Sequence, residues 1–178
     1  MGKYNSKKDG EMTLKQSLLI DKRINSKVSF IILSLYRVQH ILYARKHFVL
    51  LRIFGWVKNV VYFVFGVDAQ ISYKAILGNY IRLPHRAMGV VISPKAIIGD
   101  HVTIFHHVTI GINERKPKEL QQIVIEDNCY LSAGCCVISC KVSKNCKIAP
   151  NTVVYKDVPA NSLVYTVTEM KISNPYDQ

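Results

Sequence analysis

From Ile71 onward the chain repeats itself every six residues, and no other feature constrains its fold as tightly. Aliphatic residues stand at Ile71, Leu77 and Leu83, then at Ile92, Ile98, Ile104 and Ile110. They resume at Ile125, Leu131 and Val137 and, after a unit one residue short, at Val142, Ile148 and Val154. Four places after most of them comes a small or β-branched residue: Ala75, Ala87, Ala96, Val102, Val108, Cys129, Cys135, Cys146 or Thr152. A fixed short period means a solenoid, each unit burying its apolar face only against its neighbours. One aliphatic and one small inward residue per six suits short flat strands joined by tight turns, three to a triangular coil. A helix would need apolar residues about every 3.6 positions, and this segment does not supply them. The pattern predicts a mainly β protein: a left-handed parallel β-helix over residues 67–178, preceded by a small α-helical module at 1–66. Residues 1–12 are expected to be disordered.

The formal charge is +12, unevenly spread. Residues 1–70 hold twelve Lys/Arg against four Asp/Glu, and residues 71–178 twelve against eight. Concentrated positive charge suggests an anionic partner, whether membrane surface, phosphorylated substrate or nucleic acid, or else a solvated surface. The chain is polar and charged through Lys15, which does not read as a secretory signal. Its five cysteines are an odd number without disulfide-like spacing, and three of them occupy the small inward position of the repeat. These features together lead us to expect a cytoplasmic, reducing compartment.

Thr13 is a plausible N-cap for a first helix. Residues 28–65 carry large apolar groups interrupted by Arg37, Arg45, Lys46, Arg52 and Lys58. With no stretch of about eighteen uncharged apolar residues, a spanning helix is not expected. Two readings stay open for 28–65: a module packed on the β-helix or between subunits, or an interfacial helix in peripheral contact with the inner membrane.

The six-residue rhythm breaks twice. Three extra residues enter around Leu83-Pro84-His85-Arg86-Ala87-Met88-Gly89-Val90-Val91-Ile92, and a polar loop with Glu114-Arg115-Lys116-Pro117-Lys118 fills the interval from Ile112 to Val124. Loops on a rigid solenoid are where sites are built. Leu83-Pro84-His85, Gly89-Val90-Val91-Ile92, Ile98-Gly99-Asp100 and Val108-Thr109-Ile110-Gly111 resemble the serine acetyltransferase group of hexapeptide-repeat acyltransferases. The segment from Val153 to Ser162 resembles that group's closing coil, so the likeness covers about residues 70–165. Residues 22–45 more loosely resemble the helices of exopolysaccharide O-acetyltransferases in the same group.

The resemblance implies a homotrimer, acetyl-CoA lying between neighbouring β-helices, and His85 as general base. The chemistry is consistent with this. Moving acetyl from a thioester to an alcohol requires the hydroxyl proton to leave as oxygen attacks, a task that suits an imidazole titrating near neutrality. The alternative for His85 is a histidine that merely fills a turn. The sequence departs from the group's pattern at three places. Pro84 stands where an acceptor-binding aspartate is usual, Lys116 replaces a second histidine beside Arg115, and Gln70 aligns with the aspartate that orients the base. Gln70 and Asp68 are therefore the candidate orienters.

These departures favour a hydroxyl of a bacterial surface polysaccharide or its sugar precursor as acceptor. Serine O-acetylation in cysteine biosynthesis is the alternative, and a non-enzymatic basic scaffold binding membrane or nucleic acid is a second. For the enzyme, no nucleic acid is expected. Arg86, Arg115 and Lys116 are candidate acceptor contacts, or else loop charges in water. Small residues at Gly111, Ser132, Ala133, Gly134, Ala149 and Pro150 would let backbone amides meet pantetheine, or simply suit tight corners. Lys156, with Lys144, Lys147 and Lys171, is a candidate for the CoA phosphates. His106 and His107 raise a γ-class carbonic anhydrase as rival. Adjacent strand residues point to opposite faces, so only one of the pair could join His85, short of three zinc ligands. No metal is expected.

Overall fold

The computed structural model describes residues 12–167. The amino-terminal segment expected to be disordered lies almost wholly outside them, as does Lys171. Helix α1 (Leu14–Ile24) begins at Thr13 with a reciprocal cap: the Thr13 hydroxyl accepts from the Gln16 N–H, and the Gln16 side chain accepts from the Thr13 N–H. Helix α2 (Lys27–Ala44) is capped by the Ser26 hydroxyl, and α3 (Phe48–Phe65) ends on Gly66 in the left-handed conformation.

Strands of two or three residues then stack into three parallel sheets, the faces of a left-handed β-helix. Ile71, Ile92, Ile110, Val137 and Val154 pair in register up one face. Leu77, Ile98, Ile125 and Val142 pair up the second, and Ile104, Leu131, Ile148 and Val164 up the third. Every aliphatic position of the six-residue repeat is buried, as is every small residue four places on. Each such aliphatic gains roughly 1.5–3 kcal/mol by leaving water. That gain, repeated coil upon coil, holds together strands too short to be stable alone. The three extra residues after Leu83 become a tight turn at Pro84–Ala87, and the long interval becomes a loop with a short 3-10 turn at Lys118–Leu120. The missing residue is absorbed at Ser139, whose φ is 45°.

The two apolar helices have different fates. Ile32, Leu33 and Tyr36 of α2 join the β-helix core, and the Tyr36 hydroxyl donates to Ala75 C=O at 2.8 Å and accepts from Leu77 N–H at 3.1 Å. Arg37 pairs with buried Asp21 of α1 and also donates to Gly78 C=O, tying both helices to the coil. Helix α3 buries only Leu51 and rests Tyr62 on the core; Phe54 and Val61 are half-buried, and its remaining large apolar groups are in solvent. With mean hydropathy 1.7 over 18 residues, α3 is long and apolar enough to cross a membrane by length and composition alone, although Arg52 and Lys58 interrupt its apolar run. Averaged over a whole helix, Arg52 and Lys58 do not outweigh the surrounding Phe, Val, Leu and Ile.

Candidate active site

The turn bearing His85 is built by its neighbours more than by its own sequence. Pro84 favours extended backbone at Leu83, and Leu83 has φ −118°. Asn25, between α1 and α2, holds that segment from both sides: its amide donates to Ile81 C=O at 2.9 Å and its Oδ1 accepts from Leu83 N–H at 2.8 Å. Ser29 donates to Leu83 C=O at 2.7 Å. Beyond Pro84, His85, Arg86 and Ala87 all adopt left-handed backbone, with φ of 53°, 62° and 54°. Such residues cost roughly 1–3 kcal/mol each and persist only where surrounding structure imposes them.

Four hydrogen bonds close the turn. Met88 N–H donates to His85 C=O and Val90 N–H to Ala87 C=O. Gly89 N–H donates to Asp68 Oδ1 at 3.0 Å, and Arg86 Nη2 to Phe65 C=O at 2.6 Å, at the end of α3. Gly89 itself has φ 63°, and a Cβ there would come within 2.2 Å of His107 Nδ1.

The turn caps one edge of the triangular prism. His107 N–H donates to Met88 C=O at 2.7 Å, Gly134 N–H to His106 C=O at 3.0 Å, and Asn151 N–H to Ala133 C=O at 3.0 Å. His85, His106, Ala133-Gly134 and Pro150-Asn151 therefore stand on successive levels of a single edge. The His85 ring is exposed, bordered by Phe105 at 5.7 Å and His106 at 4.8 Å between ring centroids. His106 Nδ1 is buried without a hydrogen-bond partner. A small cleft beside the turn is lined by Gly66, Val67, Asp68, His85, Arg86 and Met88.

The sequence candidates thus divide. His85, Arg86 and Asp68 line one cleft, but the Asp68 carboxylate serves the Gly89 amide and the Arg86 guanidinium serves α3. The Gln70 N–H donates to Val90 C=O, and its residue is exposed. Ser132, Ala133, Gly134, Ala149 and Pro150 follow below His85 on its edge. Gly111 and the 112–124 loop lie at another edge, where Lys116 Nζ donates to Ser139 C=O at 2.9 Å and Asn113 N–H to Ser139 Oγ at 2.7 Å. Arg115 is exposed in that loop, and Lys156 lies near this second edge with its ammonium over the Tyr155 ring. Of the adjacent histidines, His106 meets His85 and His107 covers Gly89. Among the described residues no group of three or more His, Cys, Asp or Glu is placed to hold a metal ion.

Asn25, Ser29 and the packing role of His106 were not identified from sequence. Asn25 and Ser29 lie more than fifty residues from the turn they hold, and no local pattern marks them.

No family model matches the chain. The serine acetyltransferase of Bacillus pumilus is 38% identical over 130 residues, 72% of this chain and 57% of that protein. The repeat region is a hexapeptide-repeat domain of the serine acetyltransferase group. The structure superposes on Neisseria gonorrhoeae serine acetyltransferase in complex with serine with TM-score 0.65 and 30% identity, covering 78% of this chain and 54% of that one. Soybean serine acetyltransferase complexed with serine gives TM-score 0.72 at 25% identity, with 85% and 67% covered. The chain spans a little over half the length of the Bacillus relative that it matches.

Proposed function

We propose that the protein is an acetyl-CoA-dependent O-acetyltransferase with His85 as general base. The observation that carries this reading is the strained left-handed turn that presents His85 in solvent at the head of an edge of small-residue corners. His85 takes the acceptor's hydroxyl proton as oxygen attacks the thioester carbonyl. The new C–O bond forms, the C–S bond breaks, and the imidazolium returns its proton to the departing CoA thiolate. The imidazole supplies the base this step needs, and no cysteine is required as nucleophile. The small residues at Ala133-Gly134 and Ala149-Pro150 suit close approach of the pantetheine arm, with Gly111 and Lys156 contributed from the other edge. A homotrimer would bring those two edges together between adjacent subunits. In this arrangement residues 1–66 act as a module positioning the catalytic domain of 67–178, in a cytoplasmic setting that keeps its five thiols free.

The first acceptor to test is L-serine, which both named structural relatives hold in their complexes. A second reading, transfer to a glycan hydroxyl, is favoured by Pro84 directly before the base and by the engagement of Lys116 with Ser139. Both changes remove groups expected to hold an amino acid. Arg86 and Arg115 would then border the acceptor. Release of CoA from acetyl-CoA, followed with L-serine and separately with sialic, hexuronic and neutral oligosaccharides, distinguishes the two. Turnover on serine alone establishes the first reading and turnover on a glycan alone the second. Near-normal turnover by His85→Ala would sink both.

A further inference from the structure

We propose that α3 is an in-plane docking helix for an anionic lipid bilayer surface, a role separate from the acetyl-transfer reading. Val49, Ile53, Trp56, Val60 and Phe63 recur on one side of α3, flanked by Leu50, Val57 and Val64. All eight are exposed, Trp56 at 74% and Phe63 at 88%. At about 1.5 Å per residue they form an apolar stripe roughly 25 Å long. No charged residue interrupts it. A contiguous exposed apolar surface of this size marks an interaction site.

Charge selects the partner. Residues 22–67 contain eight Lys/Arg and no Asp or Glu. Arg45, Lys46 and Arg52 are exposed at the start and edge of α3, and Lys58 lies along its inner side over the Tyr62 ring. An apolar stripe with aromatic residues and a basic border matches the boundary between acyl chains and anionic headgroups. A second copy of the chain would instead bring an equally basic, acid-free segment against this one, placing like charges around the contact.

The helix is also held in the plane. Leu51 is buried, Tyr62 packs on the core, and the Arg86 guanidinium grips Phe65 C=O, so one side of α3 is committed to protein. Spanning would strip that side away and carry Arg52 and Lys58 into hydrocarbon.

Trp56 is the sole tryptophan, so intrinsic emission reports this face directly. The full chain is mixed with phosphatidylglycerol/phosphatidylcholine vesicles and with phosphatidylcholine vesicles alone. The proposal expects co-sedimentation and a blue shift of Trp56 with the anionic vesicles, both reversed by high salt. Each basic residue near such a surface strengthens binding roughly five-fold, so Arg45→Gln with Lys46→Gln should weaken it roughly 25-fold. Trp56→Glu with Val60→Glu should abolish sedimentation while circular dichroism is unchanged. Equal, salt-resistant binding to neutral vesicles overturns the proposal. So does failure of the folded wild-type chain to bind any vesicle, and a blue shift that follows protein concentration without vesicles would then assign the stripe to a second copy.

Discussion

The imidazole of His106 stands edge-on to that of His85, with centroids 4.8 Å apart and planes at 80°, while its own Nδ1 is buried without a hydrogen-bond partner. With Phe105 on another side, His106 limits how far the exposed base can turn.

That contact separates two effects. His85→Ala should lower kcat by about 10²–10⁴-fold, the usual contribution of a placed base. His106→Ala should lower kcat by about tenfold, in line with the sensitivity of catalysis to small misplacements, and leave the melting temperature nearly unchanged. Steady-state CoA release and thermal melts check both. A wild-type kcat in His106→Ala would show that its ring does not position His85.

Asn25 should behave as a site residue although it lies outside the cleft. Asn25→Ala deprives Leu83 N–H and Ile81 C=O of their partners in a part-buried setting, at a cost of about 1–3 kcal/mol in urea unfolding. Because Leu83 leads directly into Pro84-His85, kcat should fall under conditions where the variant is still fully folded.

The ion pair of Asp21 and Arg37 is enclosed, their side chains 0% and 10% exposed. Asp21→Asn leaves the guanidinium uncompensated and should destabilise by about 3–5 kcal/mol. Adding Arg37→Met should recover most of that loss, because it removes the stranded charge. Equilibrium denaturation of the two variants measures the difference.

Burial pushes the Cys135 thiol up to about 12 and those of Cys129 and Cys140 to about 11, from an ordinary value of 9.0. The folded state therefore favours the neutral thiols. Their contribution to stability is complete below pH 9.0 and is lost as pH rises through the folded values. The urea midpoint should fall on the alkaline side of that limit. At pH 8, alkylation of the folded protein should reach half-exposed Cys136 first and the buried cysteines only on unfolding.

How much was legible in the chain follows from the range of the interactions involved. The six-residue period located every coil, because strand and corner alternate over distances set by neighbouring residues. Extra residues after Leu83 and after Ile110 marked the turn and the loop for the same reason. The pair His106-His107 shows the limit. Alternation said that only one of them could join His85, but which one does so depended on backbone at the corner, where His107 has φ 57°.

Helices α2 and α3 show the same limit on a larger scale. Both read as apolar with interspersed cations, yet Ile32, Leu33 and Tyr36 became core while Trp56 and Phe63 remained in solvent. Periodicity describes a helix's own faces and carries no information on which neighbour covers them. By itself the sequence determined the solenoid, its register and the candidate base, since each arises from local spacing and the chemistry of one side chain. The tertiary structure alone decided that Asn25 and Ser29 hold the His85 turn, that the candidate cofactor residues divide between two prism edges, and that α3 presents a bare apolar stripe. Those outcomes rest on contacts between segments distant in sequence, whose energies exist only once the chain has folded.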